Sequence, residues 1–139
     1  MTPYQLGMRF VGIKEIAGQQ DHPMIVWALT LCGFSPDAHD EVPWCSAWAN
    51  LIAWLLRLPR SKSAMARSWL NVGVPVPLDQ AVVGFDVVVL ERGAAPAGHV
   101  GFYAGREGDR VLLLGGNQSD GVCVSSWPVQ AVLGVRRLG

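Results

Sequence analysis

Charged residues are few: 16% of the chain, with 11 basic and 11 acidic side chains and a formal net charge of zero. That balance excludes the basic field by which proteins attract nucleic acid or an anionic membrane surface. The cysteines, Cys32, Cys45 and Cys123, are odd in number and form no CxxC pair. A zinc ribbon and a disulfide framework are therefore not expected, and at least one thiol is free. His22, His39 and His99 lack the i, i+4 spacing of a helical metal site, so no metal and no other cofactor is expected. Apolar runs such as Trp48 to Leu56 are too short to span a bilayer, and no membrane insertion is expected. The opening MTPYQLGMRF lacks the basic and apolar regions of a secretory signal. The expectation is a protein made in the cytoplasm that, if it acts on a cell wall or in a periplasm, arrives by release or by a non-classical route.

What is present suits one compact domain over residues 1–139. Half the residues are apolar, and a chain of 139 residues buries roughly two thirds of the surface it exposes when unfolded. The first part, to about residue 74, reads as helical. Asp21 or His22 caps a helix with Pro23 in its first turn and MIVWALTLCG after it, stopped by Gly33. Cys45 opens SAWANLIAWLLRL, in which Trp44, Trp48, Leu51, Ile52 and Leu55 recur at helical spacing until Pro59 ends the pattern. SAMARSWLNVG reads as a third helix, with Ser61 or Ser63 as cap and Gly73 as terminator. From about residue 82 the runs FDVVVLERG, HVGFYAG, RVLLLGGN, VCVSSW and VLGVRRL are short, β-branched and separated by glycine or proline turns. The gaps among the first four are too short for helical crossovers, so they pair antiparallel. The fold class is α+β, with an N-terminal helical lobe packed on an antiparallel sheet of four to six strands.

The start of a helix presents unpaired N–H groups and the positive end of its dipole, an arrangement that favours a thiolate, and Cys45 sits at such a start. A nucleophilic thiol also needs a base and a polar group that orients the base. His99, between Gly98 and VGFY at the mouth of a strand, is the best-placed base, and GGNQ offers Asn117 or Gln118 as orienter. If Arg106 pairs with Arg110 across the intervening EGD, Asn117 falls opposite His99. Displaced by one, Gly116 falls there and Gln118 shares the face of His99 unless the two glycines form a bulge. Asn117 is the favoured orienter.

PWCSAWAN, GFDVVVL, GHVGFYAG and LLLGGNQSDGV, in that order, resemble the CHAP and NlpC-type cysteine peptidases and amidases, which share a papain-like fold. Within them the segments are similar to those of small phage- and bacterium-encoded cell-wall hydrolases carrying PWC, GHVGF and GGNQ. The resemblance covers roughly residues 12 to 137. It implies hydrolysis of an amide bond in peptidoglycan, within the stem peptide or at the sugar-to-peptide link, without a cofactor. It implies Cys45 as nucleophile, His99 as general base and then acid, and Asn117 as orienter. It also implies the stem peptide as partner, with a delivery or immunity protein if the protein is an effector; a monomer is the default. The chain reads GFD where these families read GD, so Asp86 is expected to shape the turn into its strand.

Other residues carry secondary expectations. Trp44, beside the nucleophile, is a candidate to stack on substrate, and Asp40 and Glu41 are candidates to bind an amino group of the stem peptide, with Gln118 as a further substrate contact. His39 is a candidate donor to the oxyanion. Trp27, Trp48, Trp54, Trp69 and Trp127 are expected in the core, as are Cys32 and Cys123. Gly115 and Gly116 are expected where two backbones approach closely. Two alternatives stand beside the wall hydrolase: a non-catalytic wall- or protein-binding module, and a cysteine hydrolase of a different amide.

Overall fold

The structure is a computed structural model and describes residues 1–15, 22–33, 44–95 and 97–139. Three α-helices precede the sheet: α1 (Pro3–Met8), α2 (Pro23–Thr30) and α3 (Cys45–Leu55). The helix α1 was not anticipated, although its signal is local: Thr2 accepts from the Gln5 amide while the Gln5 side chain accepts from the Thr2 amide, with Pro3 at the first helical position. For α2 the cap is His22, whose Nδ1 accepts from the Met24 amide, and Gly33 follows the helix at φ +91°. The expected third helix is instead a 3₁₀ turn over Ala66–Asn71. Its proposed caps are used elsewhere. Ser61 and Ser63 lie in a loop tied down by Asn50, whose amide donates to the Ser46 carbonyl, the Ser61 hydroxyl and the Ser63 carbonyl, and accepts from the Lys62 amide.

Among the described residues the sheet has six strands: β1 (Val74–Val76), β2 (Asp86–Glu91), β3 (Gly98–Glu107), β4 (Arg110–Gln118), β5 (Gly121–Pro128) and β6 (Val132–Arg137). Their order across the sheet is β1-β6-β2-β3-β4-β5, every pairing antiparallel. The consecutive runs β2 to β5 are neighbours because short turns leave no other partner within reach. The chain then returns β6 to the free side of β2. The short edge strand β1, which was not anticipated, pairs with β6. Proline is tolerated there because an edge strand need donate on one side only.

Alternation along the strands makes two apolar layers. Val87, Val89, Val100, Phe102 and Leu114 pack against Trp48, Leu51 and Ile52 of α3, whereas Val88, Leu90, Tyr103, Val111, Leu113 and Val135 form a second core on the other face. Burying each such side chain fully contributes about 1.5–3 kcal/mol, so α3 is anchored to the sheet along most of its length. Trp48 and Trp69 lie in the first core as expected, but Trp27 and Trp54 are 43% and 44% exposed and meet edge to face, their centroids 5.6 Å apart. They occupy the sides of α2 and α3 turned away from the sheet.

Asp86 does more than shape a turn. Its carboxylate accepts from the Val82 amide at 2.7 Å and from Nε and Nη2 of Arg137 at 2.8 and 2.9 Å, and the register pairs Asp86 with Arg137 across β2 and β6. A buried carboxylate without such partners would carry a large desolvation cost.

Candidate functional site

Cys45 is the first residue of α3, and the cap residue Trp44 makes no side-chain hydrogen bond to the first turn. The first turn of α3 therefore receives no cap from Trp44. The thiol is 5% exposed and lines a cleft of about 540 Å³ with Ala64, Met65, Ala66, Arg92, Ala97, Gly98 and Asn117. A depression of similar volume, about 520 Å³, at the other end of α3 is lined by Trp54, Leu55, Arg57, Leu58 and Arg60. It holds no thiol, so the cleft at Cys45 is the candidate site.

Beneath Cys45 a buried polar network holds the start of α3. The Ser46 hydroxyl donates to the Ser63 carbonyl at 2.6 Å and accepts from the Trp69 indole at 2.9 Å. With the bonds of Asn50, this fixes the loop leading into Ala64, Met65 and Ala66, which form one wall of the cleft.

His99, the second residue of β3, is 0% exposed. It pairs across the sheet with Leu90 and shares that face. Its Nε2 is 2.8 Å from Oε1 of Gln118, and its ring stacks on Trp127 at 4.6 Å with 28° between the planes. The Trp127 indole donates to the same Gln118 oxygen at 3.1 Å, while the Gln118 amide donates to the carbonyls of Leu113 and Cys123. Because that amide nitrogen faces two carbonyls, the oxygen is the atom turned to the imidazole, and the bond places the proton on Nε2. Nδ1 then carries a free lone pair, and it is buried without a hydrogen-bond partner.

The side chain bonded to His99 is thus Gln118, not the expected Asn117, and two irregularities explain the difference. The β3–β4 turn is tighter than expected, with Glu107 opposite Arg110, but a bulge between Tyr103 and Gly105 restores the anticipated offset, so that Tyr103 faces Leu113. Extended further, that offset would set Asn117 opposite His99. A second irregularity lies between Gly115 and Gln118, where Asn117 takes the left-handed conformation at φ +56°. One residue is thereby dropped from the alternation. Gln118 takes the face of His99, and Asn117 turns into the cleft beside Cys45.

The glycines before Asn117 permit this. A Cβ on Gly115 would lie 3.1 Å from Gln118 Oε1 and 3.4 Å from His99 Nε2, and one on Gly116 would lie 2.5 Å from the Trp44 ring. Trp44 is consequently 0% exposed, packed against Gly116, with its indole donating to Glu15 at 2.7 Å. It cannot stack on a substrate, which corrects its assignment as a binding residue. Asp40, Glu41 and His39 lie outside the described residues.

Electrostatics at the site are dominated by burial. It pushes the Cys45 thiol up from its ordinary value, opposed by backbone N–H groups of Val100 and Ser46, by the charge of Arg92 and by its own N–H. Burial also lowers His99 from 6.5 to about 4, opposed by the bond to Gln118 and reinforced by Arg92. Both effects favour the neutral form of each group at rest. Desolvation here outweighs the helix start on which the expectation of a thiolate rested. Among the described residues Cys45 and His99 share no hydrogen bond: Nδ1 of His99 is unpaired, and its ring lies on the face of Leu90 whereas Cys45 belongs to the core under α3.

Trp127 was assigned to the core, yet it touches both His99 and Gln118. Its sequence signal was the alternation of VCVSSW, which sets Trp127 opposite Val111 and so on the His99 face once the register is known. Arg92, whose guanidinium lies 6.0 Å from the Trp127 ring centroid, also escaped notice. Cys32 and Cys123 are free thiols and half-buried. Cys123 contacts the Gln118 carbonyl at 3.4 Å.

Among solved structures, the fold is similar to that of an NlpC/P60 family protein from Bacillus cereus ATCC 10987. The TM-score is 0.52 at 16% sequence identity, over 99% of this chain and 39% of that one. The chain spans about two fifths of that structure's length, and the likeness is one of fold. No family model and no curated protein matches the sequence.

Proposed function

We propose that the protein is a cysteine hydrolase that cleaves an amide bond of peptidoglycan stem peptide, as an endopeptidase or as an N-acetylmuramoyl-L-alanine amidase. The observation that carries this reading is the Cys45 thiol at the start of α3 in a cleft it shares with Gly98, the residue before His99, whose buried imidazole is fixed at Nε2 by Gln118 and unpaired at Nδ1 among the described residues. The choice of a wall amide is supported by the resemblance of PWC, GHVGF and GGNQ to CHAP-type wall hydrolases and by a fold shared with an NlpC/P60 family protein.

With both groups neutral at rest, proton transfer accompanies attack. Nδ1 of His99 takes the thiol proton as sulfur bonds to the carbonyl carbon, and the carbonyl electrons move to oxygen. N–H groups of the first turn of α3, at Cys45 and Ser46, are the candidates to receive that oxyanion. Collapse breaks the C–N bond, the leaving amine takes the proton from Nδ1, and a thioester remains. Water then adds to the thioester, gives its proton to Nδ1, and expels the thiol, which recovers that proton. No step requires a metal or an organic cofactor. Substrate reaches the site after a holin or a secretion machine delivers the protein, and an immunity protein is the partner expected of an effector.

Incubating purified walls with the protein and weighing the muropeptides by mass spectrometry tests the reading and identifies the bond. Cleavage is expected, with loss of all of it in Cys45→Ala while the fold persists by circular dichroism. Undiminished cleavage by that variant would sink the mechanism. The near-complete burial of Cys45 and His99 favours the alternative of a non-catalytic module, and intact muropeptides from the wild-type protein would select it.

A further inference from the structure

Arg92 follows the last residue of β2 and, among the described residues, contributes the single formal charge to the lining of the cleft. The rest of that lining is Cys45, small or apolar side chains, and Asn117. Arg92 is exposed, and its guanidinium lies 6.0 Å from the centroid of Trp127, whose ring in turn stacks on His99. Such a contact favours a cation near an aromatic face. Among the described residues the ion pairs are Arg106–Asp79 and Arg137–Asp86, so Arg92 has no carboxylate partner there. The neighbouring cation Arg67 is occupied differently, donating from Nε to the Ala97 carbonyl at 2.8 Å. Arg92 thus lines one cleft with Cys45 and reaches His99 through the Trp127 ring, and its charge acts on both groups.

We infer that Arg92 is the specificity residue of the cleft, binding a carboxylate that the substrate carries close to the scissile carbonyl. A guanidinium presents two parallel N–H groups that match a carboxylate. In a cleft otherwise uncharged, that pairing selects an acidic acyl donor over a neutral one. The inference deepens the hydrolase reading by naming the substrate class, and rests on it for the identity of the reaction. The anion preference itself is measurable without turnover.

Iodoacetate and iodoacetamide alkylate the same sulfur and differ in one carboxylate. Their rates at Cys45 are followed by mass spectrometry of the peptide that carries it, which separates it from Cys32 and Cys123. The ratio of the iodoacetate rate to the iodoacetamide rate should fall about fivefold or more in Arg92→Gln, the order expected for losing one charge several ångströms away near a surface. It should stay near the wild-type value in Arg92→Lys; because loss of the charge also disfavours the thiolate, both rates fall in Arg92→Gln and their ratio is the readout. A ratio unaltered by Arg92→Gln, or a Cys45 resistant to both reagents, would overturn the proposal. In turnover, the kcat/KM of a carboxylate substrate relative to its carboxamide should fall in Arg92→Gln. If the alkylation preference depends on Arg92 but no wall is cut, the hydrolase reading fails and the anion site stands. If walls are cut and the preference ignores Arg92, the reverse holds.

Discussion

Gln118→Ala removes the centre of a buried hydrogen-bond network and separates the roles of the two residues in GGNQ. The substitution deprives four groups of their partner: Nε2–H of His99, the Trp127 indole N–H, and the carbonyls of Leu113 and Cys123. Leaving one buried polar group unsatisfied costs about 1–3 kcal/mol. Water entering the space of the lost side chain would satisfy some of the four, so the net destabilisation should be about 2–4 kcal/mol. For a chain of 139 residues this lowers Tm by on the order of 10 °C. The effect on turnover should be larger, because the imidazole loses what selects its tautomer. Without Gln118 the proton is free to sit on Nδ1, the atom that must receive the thiol proton. Failure of the orienting member of a catalytic triad costs up to about 10⁴-fold in kcat. The matched control is Asn117→Gly, which keeps the left-handed backbone at φ +56° and deletes only the side chain. It should change kcat by less than about tenfold, since Asn117 makes no bond to His99. The assay is release of muropeptides by the folded fraction, alongside thermal unfolding and the ¹⁵N signals of the His99 ring. A greater loss in Asn117→Gly than in Gln118→Ala, or an unchanged Nε2–H tautomer in Gln118→Ala, would refute the assignment.

Three other perturbations follow from the same geometry. Because burial lowers His99 to about 4 while an unfolded histidine titrates near 6.5, the unfolded state binds the extra proton between those values. Stability should therefore be fully present above pH 6.5 and fall as pH drops to 4, by about 3 kcal/mol at most; urea unfolding of wild type and His99→Gln at several pH values should show the slope only in the former. Trp127→Ala uncovers the imidazole and should move its titration back toward 6.5, raising the acid limb of the pH–rate profile, whereas Trp127→Phe keeps the stack and should lose several-fold in kcat for want of the bond to Gln118. Gly116→Ala places a methyl group 2.5 Å from the Trp44 ring and should cost about 1–3 kcal/mol in thermal unfolding, with repacking at the start of α3.

Much of the architecture was legible because it follows from local chemistry. Helix α3 begins at Cys45 where a polar segment gives way to apolar residues at helical spacing, and β2 to β5 pair in order because their connections are short. His99 could be picked out as a base from GHVGF alone. The misread pieces were short elements with weak periodicity: α1, announced only by Thr2, Pro3 and Gln5, and β1, whose proline argued against a strand until β6 supplied an edge to join. The tryptophans were harder still, since periodicity separates faces of an element without saying which face another layer will cover. Trp127 and Trp54 looked alike in sequence, yet one stacks on His99 and the other stands half exposed against Trp27.

Chain chemistry therefore places a thiol at a helix start and an imidazole at a strand start, because those positions belong to a few consecutive residues. Which side chain orients the imidazole is settled by contacts between distant segments. The Trp44 ring closes over Gly116, Asn117 turns left-handed, and the alternation of β4 slips by one, so that Gln118 is delivered to His99. Protonation is decided in the same way: a helix start favours the thiolate, but α3 packed on the sheet removes water from Cys45, and Trp127 covers His99, so that desolvation disfavours the charged form of each.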